Sequence, residues 1–344
     1  MSSPATRTLA GALDRPGNAF NALRLGAAAM VVISHSYFIL GGGNAAEPFS
    51  WSAYDLGAMA VNVFFVLSGV MICRSLENNP DLWRYARARV LRIYPGLFFA
   101  AFLTMLLIGP VGSNVPLTQY FTDSATWLYP VQVLWDFAGA SLPLFDHGQH
   151  EANASLWTIK FELLAYLGCL ILAFLGLAHN RLIWLAIFVT AGILIASGLG
   201  VEGESANAFA NLFRFTFAFA FGALAYQMRH RLILNVPLGV MMAIVALLVN
   251  PPGVGSVLCI LTTGYAALSI GGCLAPGALA WTQGTDISFG LYLFGWPVQQ
   301  ALVHWFAWTP QLVGLHIVLS FAIVLPLAWL SWRLIEKPAL ALRG

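Results

Sequence analysis

The chain has 344 residues, of which 59% are hydrophobic and only 9% are charged, and its formal net charge is +2. Soluble domains carry about 25% charged residues, so this composition excludes an ordinary soluble domain. Apolar runs near the ~20 residues that a bilayer requires recur along nearly the whole chain, and they predict an all-α, polytopic integral membrane protein.

We predict about ten transmembrane helices, an even number that leaves both chain termini on the same side of the membrane. A single membrane domain then covers residues 1–344, with a short tail at 1–21 and one long link at 110–156. The predicted spans are 22–40, 57–76, 89–109, 157–178, 182–199, 209–227, 232–250, 254–273, 286–307 and 312–334.

The basic residues indicate how this layout is oriented. Fourteen of the sixteen Lys and Arg residues fall in the tail, in links on the same side, or in the segments beside them. The links on the other side carry acidic residues and no Lys or Arg. The positive-inside rule therefore predicts that both termini are cytoplasmic and that the 110–156 link faces outward.

The first span carries Arg24 and, eleven residues later, His35. In an α-helix this spacing places both residues within roughly 20° of the same face and about 16 Å apart. A cation at the membrane surface and an imidazole at depth suit a site that binds an anionic ligand and performs proton chemistry beneath it. The alternative is an arginine that reaches for the interface and a histidine that serves helix packing.

Several polar residues of later spans fall at the depth of His35, about 8 Å below the outer surface. They are Asn62 in the second span, Glu162 in the fourth and Arg214 in the sixth. Lys160 and Arg214 are also the two basic residues that lie inside spans, where charge is costly unless it is paired or faces water. The layer predicts a polar chamber. The alternative is an ion pair of Glu162 with Arg214 or Lys160 that only joins helices.

The 110–156 link is rich in aromatic and acidic residues, which suit the binding of sugar rings and equally suit contact with the membrane surface. Its His147 and His150 are weak evidence for a metal site, and we predict no metal. The four cysteines, Cys73, Cys169, Cys259 and Cys273, lie in or beside apolar spans without a CxxC pair. We interpret them as small packing residues.

Six motifs, in order along the chain, resemble those of the membrane acyltransferase-3 family, which O-acylates sugars and other hydroxyl acceptors at the bacterial inner membrane. They are Arg24 followed by ten residues and His35; Gly57 to Gly69 with Phe64, Phe65 and Ser68; Arg89-x-x-Arg92 with Tyr94-Pro95; Trp157 to Glu162; Ile287 to Phe294 with Trp296-Pro297; and Glu336-Lys337-Pro338. The family's acidic residue and glycine before the arginine are replaced here by Asn21 and Ala22.

The resemblance implies an enzyme, an acyl-CoA-dependent O-acyltransferase. His35 would act as base or nucleophile and Glu162 would orient it, while Arg24, Arg89 and Arg92 would bind the phosphates of acetyl-CoA or another short acyl-CoA. Four residues are predicted to line the substrate chamber: Asn62, Ser68, Lys160 and Arg214.

The resemblance also implies partners and a location. The acceptor would be a lipid-linked or nascent glycan, such as an exopolysaccharide or lipopolysaccharide precursor, met on the outer side of the inner membrane. Membrane lipids surround the domain, no nucleic acid is expected, and a second copy of the chain or polysaccharide-export machinery is a further candidate partner. Two alternatives remain: a proton-coupled secondary transporter that uses His35, Glu162 and Arg214, and a catalytically silent component of a polysaccharide assembly.

Overall fold

The computed structural model describes residues 6–143, 151–199, 208–248, 253–275, 277–305 and 308–343. It is almost entirely helical, which confirms the all-α prediction. The α-helices are α1 Leu9–Leu13, α2 Phe20–Gly41, α3 Leu56–Asn78, α4 Leu82–Leu103, α5 Gly109–Gly112, α6 Leu117–Thr122, α7 Ser124–Asp136, α8 Ile159–Phe174, α9 Arg181–Leu194, α10 Ala208–Gln227, α11 Val236–Leu248, α12 Val254–Cys273, α13 Ser288–Trp305, α14 Val313–Ser331 and α15 Lys337–Ala341.

Eight helical segments within the described ranges are long and apolar enough to cross a membrane. They are Phe20–Gly41, Leu56–Asn78, Leu82–Gly112, Ala154–Phe174, Arg181–Gly198, Ala208–Gln227, Val254–Cys273 and Pro310–Ala341. The predicted seventh and ninth spans coincide with α11 and α13, helices of 13 and 18 residues. The count of ten spans and the cytoplasmic termini stay predictions.

Short polar side chains mark where several of these helices begin. Asp55 precedes α3 and accepts a hydrogen bond from the Ala58 N–H at 2.7 Å, and Asn180 precedes α9 and accepts one from the Leu182 N–H at 2.9 Å. These caps satisfy donors that the first helical turn leaves without an intrahelical partner. An α-helix bonds most of its backbone groups within the segment, which is what a membrane demands.

The chain divides into two compact units. The first comprises Met1–Ala27, Pro48–Tyr85 and Phe161–Thr285. Strands β1 Thr6–Thr8 and β2 Ile233–Asn235 pair antiparallel within it, with Thr6 opposite Asn235. Its core includes a stacked pair of rings, Phe65 on α3 and Phe215 on α10, whose centroids lie 4.3 Å apart.

Helices α3 and α10 pack backbone against backbone within this first unit. A Cβ atom on Gly222 would overlap the carbonyl oxygen of Val66, and a Cβ atom on Gly69 would overlap that of Phe219. Such close approach through small residues is typical of helix pairs in membranes. Beyond the end of α10, Arg229 binds Glu77 near the end of α3 at 2.6 Å, so the two helices run in the same direction.

The second unit comprises Ala28–Glu47, Ala86–Lys160 and Asp286–Gly344. Gly290 on α13 approaches the backbone of Ala328 on α14 so closely that a Cβ atom there would lie 2.8 Å from the Ala328 Cα. The Asn153 side chain donates to the carbonyl oxygen of Leu293 at 2.7 Å and so joins the segment before α8 to α13. This unit holds the later part of α2, including His35.

The predicted 110–156 link is partly helical, since α6 and α7 lie within it. The Tyr120 hydroxyl on α6 donates to the carbonyl oxygen of Met105 at 2.9 Å and is fully buried. Trp127 and Trp135 on α7 are largely exposed. His147 and His150 lie outside the described residues.

Candidate active site

The nine residues predicted for the site are shared between the two units. The first unit holds Arg24, Asn62, Ser68, Glu162 and Arg214, and the second holds His35, Arg89, Arg92 and Lys160. The predicted pairing of Glu162 with His35 joins residues of different units and stays a prediction.

His35 lies on α2 with its ring against a tryptophan. The imidazole and the Trp296 indole meet edge-on, with centroids 5.0 Å apart and an interplanar angle of 90°. Trp296 is only 4% exposed, and Phe38, almost one turn beyond His35, also contacts it at 5.8 Å. Edge-to-face contact is a favoured aromatic geometry, so Trp296 restricts the orientation of the imidazole. The sequence identified Trp296 as part of a motif and gave it no role.

A buried polar network lies beside His35 and joins three helices. The Gln299 amide on α13 donates to the Val32 carbonyl and to the Ser36 hydroxyl, each at 2.7 Å. On α14, the His316 ring nitrogens lie 3.0 Å from the Ser36 hydroxyl and 3.2 Å from the Gln299 carbonyl. All three side chains are completely buried. Buried polar networks restrict the side chains that they join, and this one holds the helix turn that carries His35.

The network was missed by the sequence reasoning, although one signal for it was available. His316 lies inside a predicted span, as His35 does, and an ionisable residue at membrane depth marks a functional or strongly constrained position. Gln299 gives no comparable signal, because an uncharged amide in a span is compatible with ordinary helix packing.

Arg92 on α4 forms an ion pair that the sequence did not indicate. Its Nη2 atom lies 2.8 Å from the Asp286 Oδ2 atom, with the two side chains only 11% and 16% exposed. The guanidinium also lies 5.5 Å from the centroid of the Phe289 ring. Ser288 donates its hydroxyl to the other Asp286 oxygen and so holds the carboxylate in place. The predicted phosphate ligand Arg92 is thus oriented by a carboxylate. Arg89 is partly buried.

Arg24 and Ser68 lie along one side of α3. The Arg24 guanidinium lies 6.0 Å from the centroid of the Phe64 ring, and Ser68 follows Phe64 by one helical turn. Residues four apart share a helix face. Both predicted site residues are partly buried.

Glu162 on α8 accepts a hydrogen bond from the hydroxyl of Tyr166, one turn farther along the helix. The backbone carbonyl of Tyr166 in turn accepts a hydrogen bond from the Tyr85 hydroxyl at 3.1 Å. This arrangement gives the Glu162 carboxylate a fixed neighbour. Lys160, two residues before Glu162 on the same helix, is exposed.

Arg214 and Asn62, which the sequence placed at one depth, are in direct contact. The Arg214 Nε–H donates to Asn62 Oδ1 and its Nη2–H donates to the Ala58 carbonyl, both at 2.8 Å. Among the described residues, no carboxylate oxygen lies within 4.0 Å of the guanidinium. The alternative of a Glu162–Arg214 ion pair is therefore wrong.

The described part of the chain contains no group of three or more His, Cys, Asp or Glu side chains that could hold a metal ion. Cys73, Cys169, Cys259 and Cys273 are buried free thiols. Their burial fits the prediction that they serve as packing residues.

Comparison with known proteins gives a family match and two relatives. A family model described as an acyltransferase domain matches residues 18–333. The chain is 26% identical over 337 residues to an O-acetyl transferase of Shigella phage Sf6, covering 93% of this chain and 95% of the relative. It is 27% identical over 360 residues to Nodulation protein 10 of Rhizobium leguminosarum bv. viciae, covering 95% and 94% of the two chains. No solved structure matches.

Proposed function

The chain belongs to the membrane acyltransferase-3 family, and from that membership we propose that it transfers an acetyl or other short acyl group from acyl-CoA to a hydroxyl of a glycan. The phage relative is an O-acetyl transferase, which favours acetyl as the transferred group. The proposal places the glycan on the outer side of a bacterial inner membrane and acyl-CoA on the cytoplasmic side.

The contact between His35 and Trp296 is the observation that supports this function most strongly. Ionisable side chains at membrane depth are energetically unfavourable and usually have a function, and this holds for an imidazole. Here its ring lies against a buried indole, and the next residue, Ser36, belongs to a buried polar network. Catalytic groups need such support from surrounding side chains to hold a productive orientation.

The transfer step needs a proton acceptor beside the reacting hydroxyl. In the direct version, His35 removes the hydroxyl proton while the oxygen attacks the thioester carbonyl; the carbon–sulfur bond breaks and the CoA thiolate takes the proton back. In the two-step version, the imidazole nitrogen carries the acyl group between donor and acceptor. Both versions yield an ester and free CoA.

The three arginines are assigned to the acyl donor. Arginine binds phosphate through two parallel hydrogen bonds, which suits the phosphates of CoA. The Asp286 carboxylate orients the Arg92 guanidinium, and we assign phosphate binding to Arg24, Arg89 and Arg92 together. The acceptor is assigned to the predicted chamber, with Glu162 orienting His35 and with Asn62, Ser68, Lys160 and Arg214 near the glycan.

A proton-coupled transporter is less well supported. A relay through His35, Glu162 and Arg214 needs Arg214 to exchange charge with Glu162, whereas the guanidinium bonds go to Asn62 and Ala58.

The test is turnover of labelled acetyl-CoA by the purified protein in detergent, with a glycan-lipid extract as acceptor. We expect the His35→Ala variant to lose at least about 100-fold in rate, and the His179→Ala variant, which alters an exposed histidine, to keep the wild-type rate. Acyl label retained on wild-type protein and absent from His35→Ala would favour the two-step version. A wild-type protein that neither binds nor consumes any short acyl-CoA would refute the function.

A further inference from the structure

Arg214 carries a positive charge into the interior of the first unit, where no carboxylate oxygen of the described residues lies within 4.0 Å of its guanidinium. The residue is 7% exposed. Its guanidinium lies 4.3 Å from the centroid of the Tyr54 ring and 4.9 Å from that of Phe215. Aromatic faces and neutral acceptors lower the cost of burying a cation, but they do not neutralise it.

The carboxylate next to this cluster is engaged elsewhere. Asp55 accepts the Ala58 N–H at 2.7 Å as the cap of α3. Neither Asp55 nor any other carboxylate in the described ranges comes within 4.0 Å of the guanidinium. Buried charges in proteins are normally paired, so an arginine in this setting is a candidate to bind an external anion.

Asn62 supplies a second, independent observation. Its Oδ1 atom accepts the Arg214 Nε–H, which fixes the orientation of the amide, since a guanidinium can only donate. The Asn62 Nδ2 atom is buried and has no hydrogen-bond acceptor among the described residues. Asn62 itself is completely buried. A buried donor without an acceptor is rare in folded proteins and needs an explanation.

The cluster is not required to hold the two helices together. Helices α3 and α10 already meet through Gly69 and Gly222. At their other end Arg229 and Glu77 form a complete ion pair at 2.6 Å. A charged residue that served only to join α3 and α10 would be expected to have a carboxylate partner, as Arg229 does.

We propose that Arg214 and Asn62 bind an anionic oxygen group, a phosphate or a carboxylate, carried by the acyl acceptor. A guanidinium beside an amide NH₂ offers converging donors and no free acceptor, which is the arrangement that an oxyanion needs. The cluster lies at the ends of α3 and α10 opposite Arg229, the ends predicted to face outward, where the glycan is met. The assignment to the acceptor rests on the proposed function, and it narrows the acceptor to an acidic or phosphorylated sugar.

The experiment measures thermal unfolding of the purified protein in detergent, without acyl-CoA. The probes are glucose, glucuronate, glucose 6-phosphate and inorganic phosphate, each against chloride at equal ionic strength. We expect glucuronate or glucose 6-phosphate to raise the unfolding temperature by about 3 °C at tenfold its dissociation constant, and glucose and chloride to have no effect. The inorganic phosphate sample separates recognition of a free anion from recognition of a sugar-borne one.

Three variants make the test specific. Arg214→Gln is expected to weaken the sugar-anion effect at least tenfold. Asn62→Asp, which is nearly isosteric, supplies an internal carboxylate to Arg214, so it is expected to fold at least as stably and to abolish the effect. Arg229→Gln, which removes the other arginine between α3 and α10, is expected to keep it. The Asn62→Asp result tests the site even where Arg214→Gln fails to fold.

Three results would overturn the proposal: no sugar anion stabilises the wild type beyond chloride, Arg214→Gln and Asn62→Asp respond like the wild type, or inorganic phosphate alone binds. One more result would overturn the proposal, and it concerns Glu202 and Glu204, which lie outside the described residues. Anion binding seen only in the Glu202→Gln/Glu204→Gln variant would show that the Arg214 charge is neutralised internally. Because no acyl-CoA is present, a failure of the proposed transferase appears separately, as absent His35-dependent turnover.

Discussion

His35 and Trp296 are in edge-on contact, with their ring centroids 5.0 Å apart, although 261 positions of sequence separate them. The indole is 4% exposed and belongs to α13, whose next turn carries Gln299 of the buried network. The position of the imidazole therefore depends on α13 as well as on its own helix. This dependence makes Trp296 a positioning residue whose loss is expected to affect the rate of the chemical step.

Replacing Trp296 is expected to lower kcat with little change in KM for acetyl-CoA. In Trp296→Leu the imidazole loses its ring contact, and we expect kcat to fall about tenfold, because small misplacements of a catalytic group are costly. Trp296→Phe keeps an aromatic ring and is expected to recover most of the rate. Steady-state kinetics of folded variants measures both constants. Equal loss in Leu and Phe variants, or a change confined to KM, would contradict the positioning role.

The ion pair of Arg92 and Asp286 is expected to contribute to stability and to donor binding. Asp286→Asn leaves the nearly buried Arg92 guanidinium without this carboxylate. We expect the free energy of unfolding to fall by about 3 kcal/mol. Arg92→Lys keeps the charge and loses the planar fork, so the KM for acetyl-CoA is expected to rise about fivefold.

The control for this pair is Arg84→Gln, which removes an exposed ion pair with Asp81 at 3.7 Å. Such surface pairs contribute about 0–1 kcal/mol, so thermal unfolding should change little. Comparable destabilisation by Arg84→Gln and Asp286→Asn would show that burial does not increase the contribution of the Arg92–Asp286 ion pair to stability.

The close approach of α3 and α10 predicts strong intolerance at Gly222. A Cβ atom added at Gly222 would overlap the Val66 carbonyl oxygen. Because the two helix backbones must then separate, we expect Gly222→Ala to lower the free energy of unfolding by about 2–4 kcal/mol. Gly168→Ala on α8 is the control, since its Cβ would meet nothing within 4 Å. It should be neutral or slightly stabilising, because alanine is the better helix former. Similar unfolding temperatures for both variants would exclude backbone contact as the cause.

The buried hydroxyl of Tyr120 is expected to make the stability of the protein fall at alkaline pH. Burial raises the pKa of its hydroxyl above the ordinary value near 10. The unfolded chain ionises this group first, so its contribution to stability is complete below pH 10 and is lost as the pH rises toward the folded-state value. Each pH unit in that window removes up to about 1.4 kcal/mol. Tyr120→Phe should therefore unfold at a lower temperature at pH 8 and lose less between pH 10 and 11 than the wild type.

The helices could be predicted because a membrane imposes one local rule, about 20 apolar residues in a row. That rule places α2, α3 and α10 within a few residues of their observed bounds. It fails where a helix is short or lies outside the apolar pattern. The predicted 110–156 link accordingly concealed α6 and α7, whose mixed polar and aromatic sequences do not resemble a span.

The site was predictable only to the extent that charge at membrane depth is conspicuous. Arg214 and Asn62 were identified by depth, and they are in contact. Asp286 was not identified, because it lies just before α13 where an acidic residue is unremarkable, and its partner Arg92 is 194 positions away. Local sequence patterns carry no information about such pairings, which depend on how distant helices pack. For the same reason, the contact of Trp296 with His35 and the place of Gln299 in the buried network were not predicted.

The parallel pairing of α3 with α10 has a consequence for how the protein is made. Gly69 is synthesised about 150 residues before Gly222, which at ordinary translation rates is a delay of roughly 8–30 s. During that interval the α10 partner of Gly69 has not yet been made, so the close backbone contact of Gly69 with α10 cannot form. The contact between α3 and α10 can therefore form only late in synthesis, after the segment that contains Gly222 has been made.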